Sequence, residues 1–142
     1  MKTFSAKAVD IDRKWILIDA KNQVVGRVAE RAARLLRGKD KAIFTSHVDC
    51  GDHVVIINAG QARFTGRKET EKVYSSFSGY VGGHKSESPQ QVRKRRPELI
   101  MERAVKGMIP HNRLGSVIYG KLHVYAGEEH PHQAQNPVAV QL

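Results

Sequence analysis

The chain has 142 residues, a formal net charge of +10 and a sequence pI near 10.0. Its hydrophobic content of 40% is enough for a modest core, which excludes wholesale disorder and favours one folded domain. The longest apolar runs, residues 15–18 and 54–57, are far shorter than the about 20 residues that a membrane span needs, so no span is expected. The excess of positive charge indicates that the partner of this protein is a polyanion.

The first predicted unit is a strand, a helix and a second strand. Residues 15–19 form a short apolar run, which is typical of a strand buried on both faces of a parallel sheet. A helix is predicted from Val24 or Gly26 to Arg37, with Gly38 as its stop. Residues 53–58 repeat the buried-strand pattern, and a right-handed crossover is expected. The helical period places Val25, Val28, Ala32, Leu35 and Leu36 on one side of the helix and Arg27, Arg31 and Arg34 on the other.

The middle of the chain is predicted to hold little regular structure. Residues 62–66 have the pattern of a third short strand, whereas residues 67–86 are polar, contain glycine and are expected to be mostly irregular. Ser88 followed by Pro89 predicts the start of a short helix that includes residues 93–96. Because Val92 is the only apolar residue near that basic run, we expect this helix to have little anchorage in the core and to depend on a partner for order.

Three elements are predicted after this helix. A helix is expected to start at Pro97 and to end at Gly107 and Pro110. Residues 114–120 predict one more short helix, and residues 121–125 alternate as a strand does.

The chain is expected to fold as a single domain over residues 1–142. No internal repeat is present, and no linker is long enough to divide the chain into domains. The core is predicted to span about residues 14–127, and the polar, proline-containing residues 128–142 are expected to form an extended tail.

The positive charge is concentrated in two blocks. Residues 27–41 carry a net charge of +4 and residues 63–113 a net charge of +7, whereas the remainder sums to −1. Solubility alone does not require this asymmetry, because mixed charges serve it equally well. The densest run, residues 93–96, spreads four cations around a helix, which suits phosphates on several sides better than one carboxylate. The blocks therefore predict a nucleic-acid interface, with a solvated surface as the alternative.

Two nucleotide-binding patterns are incomplete. A dinucleotide site needs three glycines after the first strand, and this chain offers only Gly26 there. Residues 79–86 match the phosphate-loop pattern except at His84, where glycine is needed for the backbone to wrap around a phosphate. A phosphate-loop nucleotide-binding protein is therefore the alternative function. A glycine-rich basic loop that lays its amides against an RNA backbone is favoured, and an ordinary flexible turn is the third interpretation.

Cysteine and histidine give no metal or catalytic pattern. The single cysteine, Cys50, can form neither an internal disulfide nor a multi-cysteine zinc site, and a buried or half-buried thiol is expected. The spacing of His47, Cys50 and His53, with His130 and His132 near the end, matches no standard zinc pattern. No hydrolase motif is present, so we expect no catalytic residue, no metal and no cofactor. Residues 1–7 lack the apolar stretch of a secretory signal, and an intracellular protein is expected.

A family resemblance is carried by residues 105–110, 114–116 and 121–127, supported by residues 26–27, 36–39, 47–52, 58–59, 65–66, 72–74, 82–83 and 96–97. These stretches resemble the signature of the large-subunit ribosomal protein thirteen family, in its bacterial form. The resemblance covers essentially the whole chain and departs at Cys50, where threonine is usual, at Ser116, where a basic residue is common, and at residues 75–77, where Tyr and His are frequent. These departures would weaken RNA contacts at those positions.

The resemblance implies a fold, a role and partners. The fold would be α/β, a three-layer α/β/α domain with a four-stranded, mostly parallel sheet. The role would be structural rather than enzymatic: binding of large-subunit (23S-type) ribosomal RNA and support of early subunit assembly, in the cytoplasm and on the ribosome. The third, twentieth and twenty-first large-subunit ribosomal proteins would be neighbours.

The predicted mechanism is neutralisation of RNA phosphates by two cationic faces. Tyr74, Phe77 and Tyr80 are expected to be available to stack on unpaired bases. The predicted RNA-binding residues are Arg27, Arg31, Arg34, Arg37, Lys39 and Lys41 on the first face; Arg67, Lys68, Lys72, Lys85, Arg93, Lys94, Arg95 and Arg96 on the second; and Tyr74, Lys106, Arg113 and Lys121 in addition.

Overall fold

A computed structural model describes residues 4–141 of the chain. The first three residues of the stretch that lacks a secretory signal lie outside the described residues, as does Leu142. The elements in chain order are β1 (Trp15–Asp19), α1 (Val25–Arg37), β2 (His53–Ile57), α2 (Lys68–Glu71), β3 (Tyr74–Phe77), β4 (His84–Glu87), α3 (Pro89–Arg95), α4 (Glu98–Met108), α5 (Arg113–Tyr119), β5 (Leu122–Val124) and β6 (Val138–Ala139).

The main sheet has four strands in the order β5-β2-β1-β6, and all of its pairings are parallel. In its centre Ile18 of β1 pairs with Ile56 of β2, and α1 makes the connection between these two strands. The α/β class, the single domain and the four-stranded parallel sheet are therefore confirmed, as are β1, α1 and β2 at close to their predicted bounds.

One prediction about the sheet was wrong. Residues 62–66 form no strand, because the Arg63 amide and carbonyl oxygen are bonded to Gln23 and Val25 beside the start of α1; Arg63 makes only an isolated bridge to Val24. The fourth strand instead comes from the predicted tail, where Val138 pairs with Ile16 of β1. The Val140 amide then donates to the Leu17 carbonyl oxygen at 2.9 Å, so the end of the chain belongs to the sheet.

The core lies between one face of the sheet and the helices. Side chains alternate across a strand, so Ile16 and Ile18 of β1 share a face with Val54 and Ile56 of β2. These residues join the buried side of α1 and residues of α4 in one cluster, which confirms the predicted apolar face of α1. At the end of α1, Gly38 has a φ of 74°, and a Cβ there would lie 2.6 Å from the Cys50 carbonyl oxygen, so only glycine fits.

The opposite face of the sheet carries aromatic rings. The Trp15 ring lies 4.4 Å from the ring of His53 and 5.5 Å from that of His123, centroid to centroid. His132, from the C-terminal segment, packs against the same Trp15 ring at 5.0 Å. This segment is therefore held to the sheet both by backbone pairing and by ring contacts.

The region predicted to be irregular contains a helical turn and a hairpin. α2 is followed by β3 and β4, which pair antiparallel from Tyr74 opposite Glu87 to Phe77 opposite His84. The prediction failed because most residues of both strands are exposed, so the sequence shows no apolar alternation there.

The helix α3 is anchored more firmly than predicted. The Ser88 side chain accepts from the Gln91 amide, the Gln91 side chain accepts from the Ser88 amide, and Pro89 occupies the first turn. Val92 is fully buried in the core cluster, and Arg93 donates to the Gly60 carbonyl oxygen at 2.7 Å. The expectation that this helix has little anchorage in the core was therefore wrong.

The last helices follow the predicted order. α4 continues through Gly107 to Met108, and Asn112 caps α5 by accepting from the Gly115 amide at 2.7 Å. Within residues 4–141, no helix has the length and apolar character needed to cross a membrane.

Candidate nucleic-acid interface

The outward side of α1 and the turn after it form the first basic face. Arg27 and Lys39 are exposed, and neither has a carboxylate within 4 Å among residues 4–141. Arg31 and Arg34 both donate to Asp40, at 2.8 and 2.7 Å, so one carboxylate neutralises part of their charge while it fixes their positions. Arg37 lies over the Phe44 ring at 5.6 Å and is half-buried. The structure thus brings together these five predicted cations, and the face keeps an excess of positive charge.

Lys41 and Lys121 were placed in the predicted interface, but the ammonium groups of both donate hydrogen bonds to other residues of the protein. Lys41 donates to Asp52 and to the Asp12 carbonyl oxygen, each at 2.6 Å. Lys121 is only 6% exposed and donates to Asp49 at 2.5 Å. Burial lowers the pKa of Lys121, and the hydrogen bond to Asp49 opposes this shift. Lys121 is therefore removed from the candidate RNA contacts, because its charge is used to compensate a carboxylate in the fold.

The second predicted face is divided by its own ion pairs. Arg93 donates two hydrogen bonds to Glu69, Arg95 binds Glu87 at 2.8 Å, and Arg96 binds Glu102 at 2.9 Å. The run of four cations therefore presents one lysine, Lys94, with no carboxylate within 4 Å among the described residues. The remaining predicted cations of this face are exposed: Arg67, Lys68, Lys72 and Lys85.

The three aromatic residues differ in how much of the ring is free. Phe77 and Tyr80 are 68% and 79% exposed near the tip of the β3–β4 hairpin, as base stacking requires. Tyr74 is half-buried against the core cluster, with the Lys72 ammonium 5.2 Å and the Arg103 guanidinium 5.0 Å from its ring centroid. Burial raises the pKa of Tyr74, against the opposing effect of Arg103. Its ring therefore positions cations.

Arg103 is a surface cation that sequence reasoning did not select. Its position late in α4 is one where a cation complements the helix dipole, which accounts for the charge without an RNA partner. Its place over Tyr74 depends on a contact between residues 29 positions apart, which no local pattern reveals. Lys106, over the Tyr119 ring at 5.8 Å, and Arg113 were selected, and both are exposed nearby on α4 and α5.

The loop that nearly matches the phosphate-loop pattern joins two antiparallel strands. Gly79 and Gly82 have φ values of 88° and 72°, and the Gly83 amide donates to the Tyr80 carbonyl oxygen at 2.9 Å, which closes the turn. A phosphate loop must lead into a helix whose N-terminal amides face the phosphate. Here His84 and Lys85 begin strand β4 instead, so the geometry of a phosphate loop is not formed.

Histidines and the cysteine are not arranged as metal ligands. Across residues 4–141, no three His, Cys, Asp or Glu side chains are grouped as a metal site requires. Cys50 is buried, as predicted, and its thiol lies 3.7 Å from the Ile43 carbonyl oxygen. The imidazoles of His53 and His123 stack on the Trp15 ring, and that of His132 packs against it at a tilt. These contacts are those of an aromatic cluster.

Comparison with known proteins identifies the family. The family model described as ribosomal protein L13 matches residues 13–131. The chain is 58% identical to the large ribosomal subunit protein uL13 of Methylacidiphilum infernorum over all of this chain and 99% of that protein. It is likewise 58% identical to the uL13 protein of Akkermansia muciniphila and 51% identical to that of Halorhodospira halophila, over the full length of both chains in each case. The chain belongs to the ribosomal protein L13 family.

Proposed function

We propose that this chain is a structural constituent of the large ribosomal subunit that binds large-subunit ribosomal RNA and supports early assembly. The role is structural, without catalysis, and is carried out on the ribosome in the cytoplasm. Family membership supports the ribosomal part of this proposal. The third, twentieth and twenty-first large-subunit proteins are the expected neighbours.

The observation that carries RNA binding is a set of exposed cations that the fold leaves without acidic partners. A protein that needed charge only for solubility would intersperse both signs. Instead, two regions hold lysines and arginines that have no carboxylate within 4 Å among residues 4–141. These residues are Arg27, Lys39, Lys68, Lys72, Lys85, Lys94, Lys106 and Arg113.

The mechanism follows from the rigidity of the scaffold. Each cation that meets a phosphate releases condensed counterions, so the affinity is expected to fall steeply as salt rises. The ion pairs of Arg31 and Arg34 with Asp40 hold the first face in one shape. Because helices, a strand and short turns of one fold carry the cations, we expect the protein to recognise the three-dimensional arrangement of phosphates, while Phe77 and Tyr80 offer rings to unpaired bases.

The test is the salt dependence of binding to transcribed large-subunit ribosomal RNA. The triple variant Arg27→Gln, Lys39→Gln, Lys94→Gln is expected to lower the log–log salt slope by about 2–3, because each substitution removes one candidate phosphate contact. Its melting temperature should stay near that of the wild type, because all three side chains are exposed.

A matched control removes the same charge elsewhere. Lys7→Gln, Lys14→Gln, Lys21→Gln changes three exposed lysines outside the two basic regions and should leave the slope unchanged. Equal slopes for the two triple variants would show that net charge alone drives binding. A wild-type protein that fails to bind the RNA at low salt would overturn the proposed function.

A further inference from the structure

A groove of about 830 Å³ lies beside the second basic region. It is bordered by the first turn of α1, by residues 64–74 and by the second half of α4. Its aromatic residues, Phe64 and Tyr74, are partly buried and pack against the hydrophobic core, so both rings are fixed in place. No part of the fold described above occupies this groove.

The charge of the groove is strongly positive. The Lys72 ammonium lies 5.7 Å from the Phe64 ring centroid and 5.2 Å from that of Tyr74, and Arg103 lies 5.0 Å from Tyr74. Neither Lys72 nor Arg103 has a carboxylate within 4 Å in the described part of the chain. Arg67 and Lys68 add two more cations, against the single acid Glu71. The cations come from two separate elements, α2 with its flanking residues and α4.

Two glycines on the groove are not explained by the fold. Gly26 is the second residue of α1 and Gly107 the last but one of α4, where glycine is less favourable than alanine. A Cβ built on either would meet nothing within 4 Å, and neither residue has a positive φ. By contrast, a Cβ on Gly51 or Gly115 would collide with a backbone oxygen. Packing within the protein therefore requires glycine at positions 51 and 115, but it does not require glycine at positions 26 and 107.

The open space at Gly26 and Gly107 and the nearby cations Lys72 and Arg103 together indicate which kind of ligand fits the groove. Glycine permits close approach of another molecule to a backbone. Phosphate groups bind cations and also the free amides of a first helical turn, such as the one that contains Gly26. Four cations line the groove, from α2 with its flanking residues and from α4. Successive phosphates of a strand can neutralise more of these charges than the compact phosphate of a free nucleotide.

We propose that this groove binds a stretch of RNA backbone. The RNA passes close to the main chain at Gly26 and Gly107, and its phosphates are neutralised by Lys72 and Arg103, which the rings of Phe64 and Tyr74 hold in position. The inference rests on the proposed function and names the part of the protein that makes closest contact with the RNA. In this arrangement Tyr74 is a positioning residue.

The first test adds one methyl group to the groove. Gly26→Ala and Gly107→Ala are each expected to melt at or above the wild-type temperature, because alanine favours a helix and no atom lies in the way. Each should nevertheless weaken binding to transcribed large-subunit ribosomal RNA about tenfold. Gly127→Ala is the control: it also has open space around its Cβ but lies outside the groove, and it should bind as the wild type does.

The second test separates the charge from the rings. Lys72→Met and Arg103→Met should each lower the salt slope by about 1. Tyr74→Phe keeps the ring and should retain affinity and slope, whereas Tyr74→Leu should lose affinity while the folded protein remains. Equal affinities for Tyr74→Phe and Tyr74→Leu would contradict the positioning role.

The outcomes distinguish this inference from the function on which it rests. If the wild type fails to bind the RNA, the proposed function fails. If the wild type binds and both glycine variants bind equally well, the groove proposal alone is overturned. Saturable binding of AMP at micromolar concentration that is lost in Gly26→Ala would assign the groove to a free nucleotide and would also overturn the proposal.

Discussion

Lys121 and Asp49 form an ion pair inside the protein, where water has little access to either group. The two side chains are 7% and 10% exposed, and the lysine ammonium also lies 3.4 Å from the Leu36 carbonyl oxygen. Removing one partner of such a pair leaves a charge buried without compensation, which is strongly destabilising. The exposed Arg13 guanidinium, 3.5 Å from Asp49, compensates only in part.

Lys121→Met is therefore expected to lower the free energy of unfolding by about 3 kcal/mol, measured by urea denaturation. The exposed Lys39→Met should change it by no more than about 0.5 kcal/mol. The double variant Lys121→Met, Asp49→Asn should recover part of the loss, because it leaves no buried charge. Equal stabilities of the two single variants would contradict the buried role of Lys121.

The sequence predicts that Lys121 is charged but not where the charge lies. Asp49 precedes it by 72 residues, so their pairing arises only when the strands assemble. Arg27 and Lys39 could be placed at the surface from the helical period and the stop at Gly38, because those signals are local. Side chains whose role depends on a partner distant in the chain escaped prediction for the same reason as Lys121.

The helix α3 has one side that is bonded to the rest of the fold and one side that is exposed to solvent. Arg93 is half-buried, with hydrogen bonds to Glu69 and to the Gly60 carbonyl oxygen, whereas Lys94 is exposed. Two adjacent cations of one basic run thus have different surroundings, so the contribution of Arg93 to the fold and the proposed contact of Lys94 with RNA can be tested separately.

Arg93→Gln is expected to destabilise the protein by about 1–3 kcal/mol, because Glu69 and the Gly60 carbonyl oxygen lose a charged donor. Lys94→Gln should leave the unfolding free energy within about 0.5 kcal/mol and lower the salt slope of RNA binding by about 1. Denaturant unfolding and RNA titration of both variants check this contrast. A stable Arg93→Gln protein with a reduced salt slope would instead place Arg93 at the RNA.

The elements that could be predicted share one property. β1, β2 and α1 contain apolar patterns that are long enough to show their period. The start of α3 is indicated by local capping residues, Ser88 and Pro89. The β3–β4 hairpin is mostly exposed and its sequence does not alternate between apolar and polar residues, and β6 has two residues, so neither offers a period to detect. Their strands are defined by pairing partners elsewhere in the chain.

The ring stack around Trp15 connects the first strand of the sheet with the C-terminal segment. It brings together β1, β2, β5 and the C-terminal segment, through Trp15, His53, His123 and His132. The Tyr125 hydroxyl lies 2.8 Å from the His132 imidazole and adds a polar contact to the same group. The stack and the β6 pairing thus hold the last residues of the chain on the sheet.

Burial lowers the pKa of His53, His123 and His132 below that of a free histidine, and neighbouring imidazoles add to the effect at His123 and His132. At His53, Lys121 and Arg13 lower the pKa further, whereas Asp49 and Asp52 oppose them. In the unfolded chain these groups take up protons near pH 6.5. The unfolded state therefore binds more protons than the folded state as the pH falls below 6.5, and the stability contributed by neutral imidazoles is lost in that range.

The free energy of unfolding is accordingly expected to be lower at pH 5.5 than at pH 7.5, as measured by urea denaturation with the fluorescence of Trp15 as the probe. His123→Phe keeps a ring in the stack and removes one titrating group, so its unfolding free energy should depend less steeply on pH. His47→Asn, a substitution at an exposed histidine outside the stack, should keep the wild-type dependence. If His123→Phe and His47→Asn showed the same pH dependence, protonation of His123 would not be a source of that dependence.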